Sequence, residues 1–191
     1  MGGSMLEFDE NGVLPEGIHD CDEDEFRRLL VEAFPASATR ALIAAGFQRF
    51  RDDALSVSLA GTQWVDGSYV TTKLDPNDID LVTYVPVEHL GALEGSPAEP
   101  FIVELLAAGP RAQARYSCDS YLVAVAPPGH PLHASFEAAR DYWRKWFGRM
   151  RTILGPDGEP LPSRSKGLLK MGLGDPDLQP DVATWGGDTS V

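Results

Sequence analysis

Cysteine is almost missing from this chain: Cys21 and Cys118 are the two present among 191 residues. That is too few for a disulfide framework and points to a reducing compartment. Long apolar runs are missing as well. The best, Ala41 to Phe47, has seven residues, against the roughly eighteen of a membrane span. The first residues, MGGSMLEFDENG, are acidic and lack the apolar stretch of a secretory signal. A cytoplasmic protein without a membrane partner is therefore expected. Met1 to Ser4 read as a remnant of cloning, with Met5 as the natural start. Positive charge is scarce: 16 Lys+Arg against 29 Asp+Glu leave a formal net charge of −13. A general nucleic-acid binder needs a phosphate-neutralising surface, so a DNA duplex is not an expected partner.

What is present is enough to fold. Hydrophobic residues make up 43% of the chain, and the length suits one domain. The charges are unevenly spread. Residues 1–110 hold 6 basic and 20 acidic residues, residues 111–170 hold 10 and 5, and residues 171–191 hold 4 acidic and no basic ones. The basic stretch leaves room for one local anion site, such as a nucleoside triphosphate or an RNA end.

Residues 1–20, rich in Gly, Pro and acid, read as an N-terminal arm, residues 21–173 as a single domain, and residues 174–191 as a flexible acidic tail. Asp22 to Phe34 reads as a short helix with Asp22 or Asp24 as N-cap. Ser37 can cap the next helix, Ala38 to about Leu59. In it Ile43, Phe47, Phe50, Ala54 and Val57 recur at helical spacing, which marks a core face and leaves Arg49, Arg51 and Asp52 largely off it. Gly61 is expected to end this helix. Strands are expected at Thr62–Asp66, Ile79–Val85, Ser120–Ala126 and Gly167–Leu173, and further helices at Glu88–Glu94, Glu99–Ala108, Pro110–Tyr116 and His133–Phe147. The fold class is α/β (α+β): a short mixed β-sheet with helices packed on it.

One stretch carries chemistry: Asp66-Gly67-Ser68, then nine residues, then Asp78-Ile79-Asp80. Gly67 after a strand lets a ligand approach the backbone, and the Ser68 hydroxyl with the following N–H groups can hold phosphate oxygens. Asp78 and Asp80 flank Ile79 at a strand start. Residues two apart on a strand share a face, so both carboxylates would line one site. Side by side they repel, and a divalent cation relieves that repulsion. The plainer alternative is a polar Asp-Pro-Asn-Asp turn feeding a strand. A calcium loop fits poorly, because counting from Asp75 puts Ile79 and Asp80 where such a loop needs a ligand and a Gly. Asp119 opens the SYLVAVA strand and would be the third carboxylate if that strand lies beside IDLVTYV; its alternative is a strand-start cap. Three carboxylates on adjacent strands can hold two Mg²⁺ or Mn²⁺ ions in the geometry of in-line nucleotidyl displacement.

At these residues the chain resembles the polymerase-β-like nucleotidyltransferases, most closely their minimal bacterial members. The segment WVDGSYVTTKLDPNDIDLVTYV, with the later Tyr142-Trp143-Arg144 and Lys166-Gly167, is also similar to a family of small uncharacterised bacterial proteins grouped with that superfamily. The resemblance implies transfer of an NMP from an NTP, such as ATP, to a hydroxyl of a protein, an RNA end or a small molecule. It implies Asp78, Asp80 and Asp119 as catalytic and metal-binding residues, and Gly67 and Ser68 at the nucleotide phosphates. Lys73, Arg144 and Lys166 are further phosphate candidates, each with plain solvation as its alternative. Minimal members often sit in toxin–antitoxin or phage-defence modules, so a partner of that kind is expected. The competing function is a non-catalytic, nucleotide-binding regulatory or antitoxin protein with a degenerate site.

The remaining polar features carry less. His130 and His133 have a spacing that zinc can use but lack neighbouring ligands. Tyr142, Trp143, Trp146 and Phe147 with Arg140, Arg144 and Lys145 could stack a base. The preferred reading is that these aromatics anchor the helix in the core and the cations line its wet face. Cys21 and Cys118 have no motif context.

Overall fold

The computed structural model describes residues 6–106, 110–150 and 164–182. Five strands form one mixed sheet in the order β1-β5-β2-β3-β4, with β1 Ile18–Asp20, β2 Gly61–Asp66, β3 Ile79–Pro86, β4 Cys118–Val125 and β5 Leu168–Leu173. β2 runs antiparallel to both its neighbours, while the outer pairs β1–β5 and β3–β4 are parallel. Six α-helices accompany it among the described residues: α1 Glu23–Arg27, α2 Arg40–Ser56, α3 Val87–Leu93, α4 Glu99–Leu106, α5 Pro110–Tyr116 and α6 His133–Phe147. The expected α/β class, a mixed sheet with helices packed on it, is the one observed.

Strand alternation divides the core in two. Val65, Ile79, Leu81, Val85, Leu169 and Met171 point to one face and pack with Phe26, Phe47, Phe50 and Tyr116 from α1, α2 and α5. Trp64, Val82, Tyr84, Val123 and Leu168 point to the other and pack with Phe136 and Phe147 of α6. Full burial of side chains of this size stabilises by roughly 1.5–3 kcal/mol each, so the all-buried β2 is the spine of the fold.

Local chemistry explains most boundaries. The Asp22 carboxylate accepts the Glu25 N–H at 2.8 Å and starts α1, which widens into a π-helical turn at Arg28–Glu32. Ser37 Oγ accepts the N–H groups of Thr39 and Arg40, so α2 begins at Arg40. α2 ends earlier than expected, at Ser56, because Ser58 takes the left-handed conformation (φ 60°). Gly61 therefore does not stop the helix. It opens β2, where a Cβ would strike the Tyr84 carbonyl.

Three expectations are corrected. Arg51 is buried, bonded to Gln63 Oε1 (2.5 Å), Glu23 Oε1 (3.1 Å) and the Gly172 carbonyl (2.9 Å). The N-terminal arm supplies β1 and the buried Val13 and Leu14, so it belongs to the domain. The C-terminal segment stays packed through Val182, with the Thr62 hydroxyl donating to the Pro180 carbonyl at 2.7 Å. The expected start at Met5, the end of the Glu99–Ala108 helix and the rest of the tail, with Trp185, lie outside the described residues.

Candidate active site

The end of β2 and the starts of β3 and β4 meet at one edge of the sheet. Register places Asp66 opposite Asp80, and Asp80 opposite Asp119. Register partners share a face, so three aspartates form one row across three adjacent strands, on the side covered by α6. The row exists because each Asp sits two residues from a core position of its own strand: Trp64, Val82 and Tyr121.

The three carboxylates live in different surroundings. Asp66 is buried, 3% exposed, and receives the ammonium of the equally buried Lys166, which also donates to the Gly67 carbonyl at 3.2 Å. Burial pushes the Asp66 carboxyl up to about 7, against the opposing pull of Lys166, and nearby Asp80 adds to the rise. Asp80 and Asp119 are half-buried. The Tyr121 hydroxyl donates to Asp119 Oδ2 at 3.1 Å. Asp78 lies just before β3, and Gln113 of α5 donates to its Oδ2 at 2.6 Å.

Gly67 has φ +86°, and a Cβ there would collide with the Asp80 carboxylate. The left-handed φ calls for glycine, and any side chain there would displace the Asp80 carboxylate. The turn brings the backbone of Gly67 directly against Asp80, and the half-buried Ser68 follows it as the first residue of a 3-10 turn. The loop that follows is fixed by Arg40, which is 1% exposed. Its guanidinium donates to the carbonyls of Leu30, Tyr69, Thr71 and Lys73 at 2.6–3.2 Å and lies 3.8 Å over the Phe34 ring. Asp75 closes the same loop, accepting from the Ala38 N–H and the Ser37 hydroxyl.

The sequence-derived residues thus divide. Gly67, Ser68, Asp80 and Asp119 are brought together. Asp78 is adjacent in sequence, but its carboxylate is engaged by Gln113. Lys166 is neither solvated nor open to a phosphate; it is committed to Asp66 and Gly67 beneath the turn. Lys73 is exposed in the loop, where its carbonyl serves Arg40. Arg144 is exposed on α6, next to Trp143, whose ring packs 4.4 Å from that of Tyr121. Of the aromatics expected in the core, Phe147 is buried and Trp143 half-buried. Tyr142 and Trp146 are 55% and 59% exposed, a correction that follows from their place on the outer face of α6.

His133 Nδ1 pairs with the Ala126 carbonyl at 2.7 Å, and His130 Nδ1 accepts the Leu132 N–H at 3.1 Å, so each ring has a local structural role. Cys21 and Cys118 are free and buried, and burial raises both thiols, Cys21 to about 12. Asp66, Arg40, Gln113 and Tyr121 were not singled out from sequence. Period-two counting from Trp64 was the available signal for Asp66; the others depend on long-range packing.

Among the described residues no three His, Cys, Asp or Glu side chains form a ready-made metal cage. The donors fit a hard divalent ion nonetheless. Magnesium is usually held by one or two carboxylates together with substrate phosphates and water, not by an all-protein cage. Asp80 and Asp119 provide such a pair in direct register, with the Gly67 backbone against Asp80. A cavity of about 170 Å³ lies elsewhere, over β1, β5 and β2, where Lys170 pairs with Asp20 at 2.8 Å. It does not include the acidic row. Among the described residues no helix is long and apolar enough to cross a membrane.

No curated protein and no solved structure matches this chain. A family model does, over residues 6–171, a span that takes in all five strands up to Met171, the Gly67–Ser68 turn and the whole acidic row. The chain belongs to that family, a family of unknown function designated DUF6932.

Proposed function

We propose that the protein transfers a nucleoside monophosphate from an NTP to a hydroxyl acceptor. One observation carries the reading: a left-handed glycine turn packed against the Asp80 carboxylate, with Asp80 in direct register with Asp119. That arrangement supports a turn whose backbone would meet phosphate beside two carboxylates on one face. Asp80 and Asp119 would hold Mg²⁺ or Mn²⁺. When bound, the ion would neutralise charge on the triphosphate and lower the pKa of the attacking hydroxyl.

The chain's own groups supply the rest. Gly67 and Ser68 offer N–H and hydroxyl donors to the outer phosphates. Lys166 and Asp66 brace that turn from below, and Arg40 holds the loop behind it. Asp119, which accepts from the Tyr121 hydroxyl, would serve as metal ligand or as base for the acceptor hydroxyl. Nucleotidyl transfer is mostly positioning and electrostatics, which a rigid edge of this kind provides.

The test is transfer of label from each α-labelled NTP, with Mg²⁺ or Mn²⁺, to components of a cell extract. Label on a macromolecule that is lost in Asp80→Asn supports the reading, and its sensitivity to RNase or protease names the acceptor class. The engagement of Asp78 by Gln113 favours a second reading, a nucleotide-binding regulator without turnover. Metal-dependent NTP binding with no product from any NTP would select it.

A further inference from the structure

The outer face of α6 exposes two aromatic rings side by side. Tyr142 and Trp146 are one helical turn apart, 55% and 59% exposed, with planes 8° from parallel and centroids 6.3 Å apart. That spacing is at the long end for an offset stack. It is just short of the roughly 7 Å that a third flat ring needs between two others at van der Waals contact. Lys145 lies on the same stripe (i+3 from Tyr142), and exposed Arg149 follows the helix end. Those two are the cations of the stripe; Arg115, Arg140, Lys166 and Lys170 of the same basic stretch, residues 111–170, are paired with carboxylates.

The ladder also leads to the acidic row. From Tyr142 the ring of Trp143 is 5.1 Å away, from Trp143 that of Tyr121 is 4.4 Å, and the Tyr121 hydroxyl reaches Asp119 at 3.1 Å. Flat, sequence-tolerant aromatic faces beside isolated cations are the recognition chemistry of unpaired nucleobases on a phosphate backbone. A protein partner complementary to this stripe would need acidic and apolar groups; an unpaired strand supplies both the flat rings and the negative charge.

We infer that the Tyr142–Trp146 face of α6 binds single-stranded nucleic acid, stacking one or two unpaired bases. That such a strand is also the acceptor of transfer rests on the proposed function; the binding itself does not.

The experiment is fluorescence anisotropy of fluorescein-labelled oligo(A) and oligo(dA) of about twelve nucleotides, with the duplex as control, in the full chain without metal or NTP. The single strands bind and the duplex does not. Tyr142→Ala and Trp146→Ala each weaken binding about five- to a hundredfold, and Trp146→Phe restores most of it. Lys145→Gln makes the salt dependence shallower by about 0.7 in slope. Both aromatic side chains are exposed, so the variants keep the parent melting temperature. Equal affinity in the alanine variants, equal binding of the duplex, or no binding at low salt would overturn the inference; the last, with the variants altering only self-association, would assign the face to protein contact. None of these outcomes touches the metal-dependent chemistry of Asp80 and Asp119.

Discussion

Removing Lys166 isolates the energetics of the buried edge. In Lys166→Met the Asp66 carboxylate, with only 4% of its side chain exposed, loses its single ammonium partner. Breaking a buried ion pair on one side costs about 3–5 kcal/mol, because the remaining charge stays desolvated. The variant can escape by protonating Asp66. In the parent chain the folded carboxyl already holds its proton up to about 7, against an ordinary 3.8. The folded state therefore binds more protons than the unfolded state across that window, and this group's stabilising contribution is lost as pH rises through it. Without Lys166 the folded value rises further and the loss extends to higher pH. Urea denaturation should show Lys166→Met losing more stability at pH 8 than at pH 5, by about the 1.4 kcal/mol that one pH unit above the parent carboxyl's value of about 7 is worth. At pH 5, with a neutral carboxyl, the loss should be nearer the ~1 kcal/mol of an ordinary hydrogen bond. Asp66→Asn combined with Lys166→Met should recover most of the pH 8 loss. A loss of the same size at both pH values, or a double variant as unstable as the single at pH 8, would refute the reasoning.

Other consequences are equally concrete. Arg40→Met leaves four carbonyls without their donor, those of Leu30 and Tyr69 in buried bonds, each buried one worth about 1–3 kcal/mol if unsatisfied; limited proteolysis should find new cleavage within residues 69–75. Gly67→Ala forces a left-handed alanine against the Asp80 carboxylate, and a loss of at least ~1–3 kcal/mol in thermal melting is expected. Cys21 and Cys118, buried with raised thiol values, should resist a disulfide-exchange reagent at pH 8 and react fully in urea.

Much of the fold was legible because periodicity is a local property. Ile43, Phe47, Phe50 and Ala54 are all buried as their spacing requires, and α5 and α6 span the expected Pro110–Tyr116 and His133–Phe147. β1 was missed because three residues, His19 and Asp20 among them, carry no apolar alternation. Only the parallel partner β5 makes them a strand. Arg51 was placed off the core because a charge normally faces water; the Gln63 amide, the Gly172 carbonyl and Glu23 make burial affordable. In the site, Gly67, Asp80 and Asp119 were readable from strand context. The roles of Asp66 and Lys166 were not, since they lie 100 residues apart and meet through the β2–β5 pairing. Tyr142 and Trp146 fell on the wrong side of the helix for the same reason that aromatics usually fall inside: burial is their rule, and exposure their exception.

The central claim is that Asp80 and Asp119 act together as a divalent-cation site completed by a triphosphate. Titration of Mn²⁺ followed by electron paramagnetic resonance, with and without ATP, tests it directly. The account predicts weak Mn²⁺ binding alone and a marked tightening with ATP, with both effects lost in Asp80→Asn and in Asp119→Asn while the melting temperature holds. Mn²⁺ and ATP binding unchanged in both variants would contradict it.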